Sequence, residues 1–183
     1  RAEWMRFYGM LVGRTHEADS LFRVVEGNYA RLRNLAAQSK SRPKVITERV
    51  ASGVWYCPGG NSSMGKLISD AGGHYVFSDD SHSGSLTLSP EKVLSKASTA
   101  DCWLFVGSGA KPMTRGQLLG EYSGYKVIKA FRESNVYECL PSLHNLYFEQ
   151  TSFRPDFLLM DLMRIFHPEH KLGGKLHYYN RIK

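Results

Sequence analysis

Residues 53–77 read GVWYCPGGNSSMGKLISDAGGHYVF. A short apolar run, Val54 to Cys57, has the look of a strand and feeds the Pro58-Gly59-Gly60 turn. Asn61, Ser62 and Ser63 follow, residues whose short side-chain oxygens accept from the free N–H groups of a helix's first turn. Met64, Leu67, Ile68 and Ala71 then fall at i, i+3, i+4 and i+7, one apolar helical face. Gly72-Gly73 closes the helix, where a residue without Cβ takes the left-handed conformation cheaply. Tyr75-Val76-Phe77 opens another strand. The succession predicts one βαβ unit, with Trp55 to Ser62 as its ligand-facing turn.

The same stretch contains a second pattern. Gly60 to Lys66 fits G-x-x-x-x-G-K, the phosphate-cradling loop of nucleotide hydrolases, and it sits between a strand and a helix as that loop should. The next residue would have to be Ser or Thr to hold Mg²⁺, and it is Leu67, which the apolar helical face already explains. The apolar run Cys102 to Val106 brings no Asp at its end as a further metal ligand. A nucleotide-binding enzyme using Gly60–Lys66 is the alternative to a ligand-binding turn.

Working outward, Trp4, Phe7, Tyr8 and Leu11 share one helical face, and Gly13 interrupts it. A second helix from Thr15 carries Ala18, Leu21, Phe22, Val25, Tyr29 and Leu32 as its stripe, and residues 39–43 form a polar connector. Lys44 to Ser52 reads as one strand through Val45, Ile46, Thr47 and Val50. Residues 78–85 are a polar loop. Ser89-Pro90-Glu91 opens a helix to about Ala97: a cap, a proline at the first position, and an acid facing the positive end of the dipole. Cys102 to Val106 is apolar throughout, the mark of a central strand buried on both faces, and empties into Gly107-Ser108-Gly109. Helices are expected over 114–122 and 125–130, a strand over Val136 to Cys139, a loop over 140–153, a helix from Pro155 to about Phe166, and an extended tail over 176–182. Strands alternating with helices predict an α/β fold around a mostly parallel sheet.

The 183 residues suffice for one domain with a substantial core, and the shares of 42% hydrophobic and 22% charged residues are those of a globular protein. No apolar run approaches the roughly 20 residues of a bilayer span. The formal charge of +7 is spread along the chain without a basic block, and no basic-aromatic RNA signature accompanies it, which argues against nucleic acid as a partner. Cys57, Cys102 and Cys139 are odd in number, widely spaced and set in apolar runs, so buried thiols are expected rather than a disulfide framework or a zinc site. Asp79, Asp80 and His82 lie on a polar loop and read as solvated, with no metal site implied. His167 and His170 sit at a helix end, where the dipole alone favours them, and no G-x-S-x-G nucleophile elbow occurs. No cofactor is implied. The opening Arg-Ala-Glu-Trp, helical and without an initiating Met, reads as the interior of something longer.

Four segments in order carry a resemblance: NSSMGKLISDAGGHYVF (61–77), LSPEKVLSKASTADCWLFV (88–106), SNVY (134–137) and RPDFLLMDLMRIFHPE (154–169). Together they resemble the C-terminal lobe of class III periplasmic solute-binding proteins, which serve ABC importers of ferric siderophores, haem and cobalamin. The resemblance implies a Rossmann-like three-layer lobe with a mostly parallel central sheet. It divides the chain into residues 1–39, with Ala2 to Val12 similar to the end of the long inter-lobe helix, and a ligand-binding lobe over 40–183, the N-terminal lobe lying outside it. It implies a binding protein and not an enzyme, located in the periplasm or cell envelope. Its partners would be a metal-chelate or macrocyclic ligand and an ABC importer permease, with the membrane reached only through that permease or a lipid anchor outside the chain.

The resemblance also suggests roles. Trp55 and Tyr56 would line the cleft from the first loop of the lobe, Ser85 from the loop before the Ser-x-Glu helix, and Ser108, Asn145 and Tyr147 from its edges. Aromatic faces suit large planar or macrocyclic ligands. Ser85 is small where relatives can carry an aromatic. Glu91 matches the exposed glutamate that pairs with arginines of the permease.

Overall fold

The computed structural model describes residues 2–183, beginning with two helices, α1 (Trp4–Leu11) and α2 (Thr15–Ala37). Four strands then alternate with helices to build the central sheet: β1 (Lys44–Thr47), β4 (His74–Tyr75), β6 (Cys102–Val106) and β7 (Val136–Cys139). A last strand, β8 (Tyr179–Arg181), completes the order β4-β1-β6-β7-β8. All pairs are parallel except β7–β8, where the chain's end returns antiparallel. The fully apolar β6 lies at the centre as its composition requires, with its first four residues buried.

Helices cover both faces. On one, α2 packs against α8 (Pro155–Phe166) and α3 (Ser63–Asp70). On the other lie α4 (Pro90–Ala97), α5 (Arg115–Glu121), a 3₁₀ turn over Ser123–Val127, and α6 (Lys129–Arg132). Local chemistry sets their starts. The Ser62 hydroxyl accepts from the Gly65 amide at 3.1 Å, Ser89 does the same for Lys92 at 3.3 Å, and Thr114 and Gln117 form a reciprocal capping box. Gly72, at φ 75°, ends α3. The closing segment is pinned from inside: the buried Asp161 carboxylate accepts from the amides of His177 at 2.7 Å, Tyr178 at 2.8 Å and Tyr179 at 3.3 Å.

The βαβ expectation needs correction. Val54–Pro58 (β3) is not in the parallel sheet; it pairs antiparallel with β2 (Val50–Ala51) and β5 (Ser85–Leu88) in a separate three-stranded sheet. The parallel strands joined across α3 are β1 and β4. The single strand expected over Lys44 to Ser52 is broken because Glu48 takes φ 61°, outside the strand region. Ser52 and Gly53, at φ 51° and 78°, then form a two-residue turn whose twist matches that of a hairpin. Ser85 accordingly opens a strand rather than sitting in a loop. The segment expected as a loop over 140–153 contains a short helix, α7 (Tyr147–Gln150). Within the segment 2–12 lies the helix α1 of eight residues, and α2 after it has 23.

Candidate functional site

Parallel strands end together, so Thr47, Val106 and Cys139 bring the carboxyl ends of β1, β6 and β7 to one edge of the sheet. Helices that follow such strands begin at that edge, and open α/β sheets bind ligands there. The starts of α3 and α8 contribute Ser63, Met64 and Pro155 to a cavity of about 810 Å³, which α2 walls with Phe22 and Tyr29 and residues 147–152 close with Tyr147 and Phe148. The lining mixes apolar and aromatic side chains with a few polar groups, the composition of a small-molecule site.

Of the six residues expected to face a ligand, this arrangement brings some together and separates others. Tyr56 pairs with Thr87, and Pro58 with Ser85, so the two-residue period of a strand puts Tyr56, Ser85 and Thr87 on one exposed face of the small sheet. Trp55 points the opposite way. It is wholly buried, its indole N–H donates to the Thr47 carbonyl at 3.0 Å, and its ring packs 6.0 Å from Trp103 and 5.5 Å from Tyr125. Its side chain is core and has no surface to offer a ligand. Ser108 is exposed on the loop after β6. Asn145 is tied into the fold, its amide donating to the Tyr178 carbonyl at 2.9 Å, and it does not line the cavity. Tyr147 does line it, although the ring is largely buried against Tyr178, at 5.5 Å, and Phe148, at 5.3 Å. Glu91 stands exposed in the first turn of α4.

The Gly60–Lys66 segment is not favoured as a phosphate cradle, because several amides in and beside it are engaged within the fold. The Gly59 amide donates to the Gly84 carbonyl at 2.8 Å and Asn61 to His82 at 3.0 Å. Ser62 donates to Gly59 at 3.0 Å, and the Gly65 amide is taken by the Ser62 cap at 3.1 Å. Gly60 and Gly65 are small because backbone presses on them: a Cβ on Gly60 would run into the carbonyls of Phe77 and Asp80, and one on Gly65 into that of Gly60. Lys66 faces solvent.

One residue at the carboxyl edge escaped the sequence reading. Glu48 follows β1 directly, half-buried, with its amide donating to the Leu104 carbonyl at 2.8 Å and its carbonyl accepting from the Trp103 indole at 2.7 Å. Burial pushes its carboxyl up to about 7, against the opposing pull of the Val106 N–H and the Arg49 charge. Arg49 is itself engaged by Glu121, through contacts of 2.7 and 2.8 Å. The one signal in the sequence was a charged Glu-Arg pair interrupting a β-branched run.

A family profile described as periplasmic binding protein matches residues 1–143. The chain belongs to that family. The membership assigns it to the periplasm or cell envelope and to a family of binding proteins. An uncharacterised lipoprotein of Methanocaldococcus jannaschii is 28% identical over 182 residues, 98% of this chain and 42% of that protein. Among solved structures, the TroA-like periplasmic binding protein FepB of Veillonella parvula superposes with a TM-score of 0.72 at 16% identity, over 98% of this chain and 60% of its own. The periplasmic haem-binding protein RhuT of Roseiflexus gives a TM-score of 0.72 at 24% identity, over 91% of this chain and 62% of its own. A protein of an ABC-type Fe³⁺-hydroxamate transport system from Saccharomonospora viridis gives 0.67 at 20% identity, over 94% and 55%. These likenesses confirm the mixed α/β lobe with its mostly parallel sheet. The chain spans about two fifths of the curated relative and about three fifths of the solved structures.

Proposed function

We propose that this chain is the C-terminal lobe of the solute-binding component of an ABC importer whose ligand is a ferric chelate, haem or a corrinoid. The observation that carries the reading is the carboxyl edge of the sheet: its cavity of about 810 Å³ is walled by aromatic and apolar side chains, in a chain of the periplasmic binding protein family. Tyr56, 48% exposed on the small sheet beside Ser85, supplies an aromatic face of the kind that buries a planar ligand with little rotamer loss. Tyr147 adds a second from the cavity wall. The similar structures named for haem binding and for Fe³⁺-hydroxamate transport support this ligand range.

A second lobe completes the site in this reading. Trp4, Tyr8, Leu11, Leu21 and Val24 form an apolar surface on α1 and α2 that this chain leaves uncovered, with exposures of 51–63%. Such a surface is larger than isolated exposed residues account for and marks a contact region. Glu91 would meet an arginine of the permease from the far side of the lobe, on α4.

The test is a titration of the full-length protein with a ferric trihydroxamate, haem and cobalamin, followed by thermal shift and tryptophan quenching. At least one should bind, and Tyr56→Ala should weaken it by about tenfold, the scale of losing one stacked aromatic. Absence of binding by all three would refute the reading.

A further inference from the structure

Among the described residues the buried acids are Glu138, Asp156 and Asp161. Asp156 and Asp161 engage both carboxylate oxygens. Glu138, on β7 and 1% exposed, engages one. Its Oε2 accepts from the Met113 amide at 2.8 Å, and its Oε1 has no hydrogen-bond partner. The deficit holds in either protonation state: a carboxylate leaves Oε1 without a donor, and a proton placed on Oε1 would have no acceptor. Arg49, the cation whose charge reaches Glu138, is held by Glu121 instead. Buried polar atoms are nearly always paired, so this oxygen calls for a donor.

The donor lies in the segment that Glu138 already holds. Gly107 and Met113 are the fixed ends of the loop after β6: the Gly107 amide donates to the Cys139 carbonyl at 2.7 Å, and the Met113 amide to Glu138. Between them Ser108 to Pro112 are exposed, and no amide from Ser108 to Lys111 donates a hydrogen bond within the described residues. Both anchors are on β7, so residues 108–112 form a strap at the carboxyl edge, tied at its ends and loose in the middle. Oε1 abuts the root of this strap. A Cβ on Gly107 would collide with it, so glycine is what allows the approach. The next amide along the chain is that of Ser108, which a rotation about the Gly107 backbone brings onto Oε1.

Resting on the binding reading above, we infer that Glu138 is a positioning residue: when a ligand fills the carboxyl edge, the 108–112 strap closes over it and the Ser108 amide donates to Glu138 Oε1. Left to itself, the strap gains one hydrogen bond by closing and loses its freedom and the water on its exposed amides. A ligand beneath it adds contacts that exist only in the closed form, and that difference shifts the population. Closure also strips water from the new bond, which strengthens it.

The experiment titrates the full-length protein with a ferric trihydroxamate, haem and cobalamin, then follows amide-resolved hydrogen exchange with and without the one that binds. In wild type, exchange of the Ser108 amide should slow by about tenfold on binding. Glu138→Gln keeps an oxygen for Met113 and puts a donor where Oε1 stood, so affinity should fall about tenfold and the Ser108 protection should vanish. Ser108→Pro removes the same bond from the donor side, at an exposed position, and should weaken binding by a similar factor. Ser108→Ala retains the amide and should retain the protection. The double variant of Glu138→Gln and Ser108→Pro should bind no more weakly than either single one, because both delete one interaction. Circular dichroism checks that each variant is folded. A wild-type protein that binds without protecting Ser108, or single effects that add in the double variant, overturns this inference and leaves the functional reading standing. Failure to bind all three probes removes the functional reading, and this inference with it.

Discussion

Trp55 and Tyr56 are neighbours in sequence with opposite fates, and replacing each tests the fold directly. Trp55 is wholly buried, so truncation to Ala opens a cavity the size of an indole, a change that costs about 3–5 kcal/mol. Its hydrogen bond to the Thr47 carbonyl, 3.0 Å long, contributes about 1 kcal/mol more, because the carbonyl is left buried without its donor. The total, about 4–6 kcal/mol, should lower the melting temperature of a chain this size by roughly 10–20 °C. Trp55→Phe keeps an aromatic ring against Trp103 and Tyr125 and should lose only about 1–2 kcal/mol. Tyr56→Ala, on the outer face of the same strand, should change stability by no more than about 0.5 kcal/mol. Urea unfolding followed by far-UV circular dichroism measures all three without depending on indole fluorescence. An unchanged midpoint for Trp55→Ala, or a stable Trp55→Phe protein that has lost its ligand, would show that the indole meets ligand and that its core placement is wrong.

Three further outcomes follow from the geometry. Glu48 titrates near 7 in the folded chain against about 4.5 when free, so the native state holds this proton longer, and the carboxyl erodes stability as pH rises from about 4.5 to about 7. Glu48→Gln should therefore be more stable than wild type at pH 8, by up to about 3 kcal/mol, with the advantage shrinking toward pH 5; an equal difference at both pH values would refute the assignment. Asp161→Asn removes one of the two oxygens that hold the amides of 177–179, so it should cost about 1–3 kcal/mol and speed hydrogen exchange at those amides before others. If Glu91 docks the permease as proposed, Glu91→Lys should weaken co-purification with the cognate permease while ligand affinity stays constant, and a fall in ligand affinity would contradict that proposal.

How much was legible depended on whether the deciding interaction was local. β6 announced itself because a strand buried on both faces must be apolar throughout, and Cys102 to Val106 is. The starts of α3 and α4 were readable because Ser62 and Ser89 bond to amides three residues ahead. The small sheet was not readable. Its first event is a left-handed turn at Glu48, a residue type that gives no warning of it, and its pairing partner β5 lies beyond an intervening helix and strand. The apolar run of β3 was visible, but an apolar run does not say which of Trp55 and Tyr56 faces inward. That is decided by Trp103 and Tyr125, which lie far along the chain. The tie of Asn145 to the frame was unreadable for the same reason, since its amide answers to a carbonyl 33 residues away.

The three-stranded sheet has a consequence for descent. Its strands β2 and β3 are inserted between β1 and α3 and its third, β5, follows β4; Trp55 and Cys57 are rooted in the core, and a bond of 2.8 Å from the Val50 amide to the Tyr125 hydroxyl fastens it to the frame. Tyr56, Ser85 and Thr87 look outward and hold nothing in the frame together. A lineage could therefore exchange those three positions, and with them its cargo if they meet the ligand as proposed, while leaving the parallel sheet and its folding untouched. Proteins diverging from this one should vary most on the outer face of that sheet and least on the inner one, two residues of the same strand evolving at different speeds.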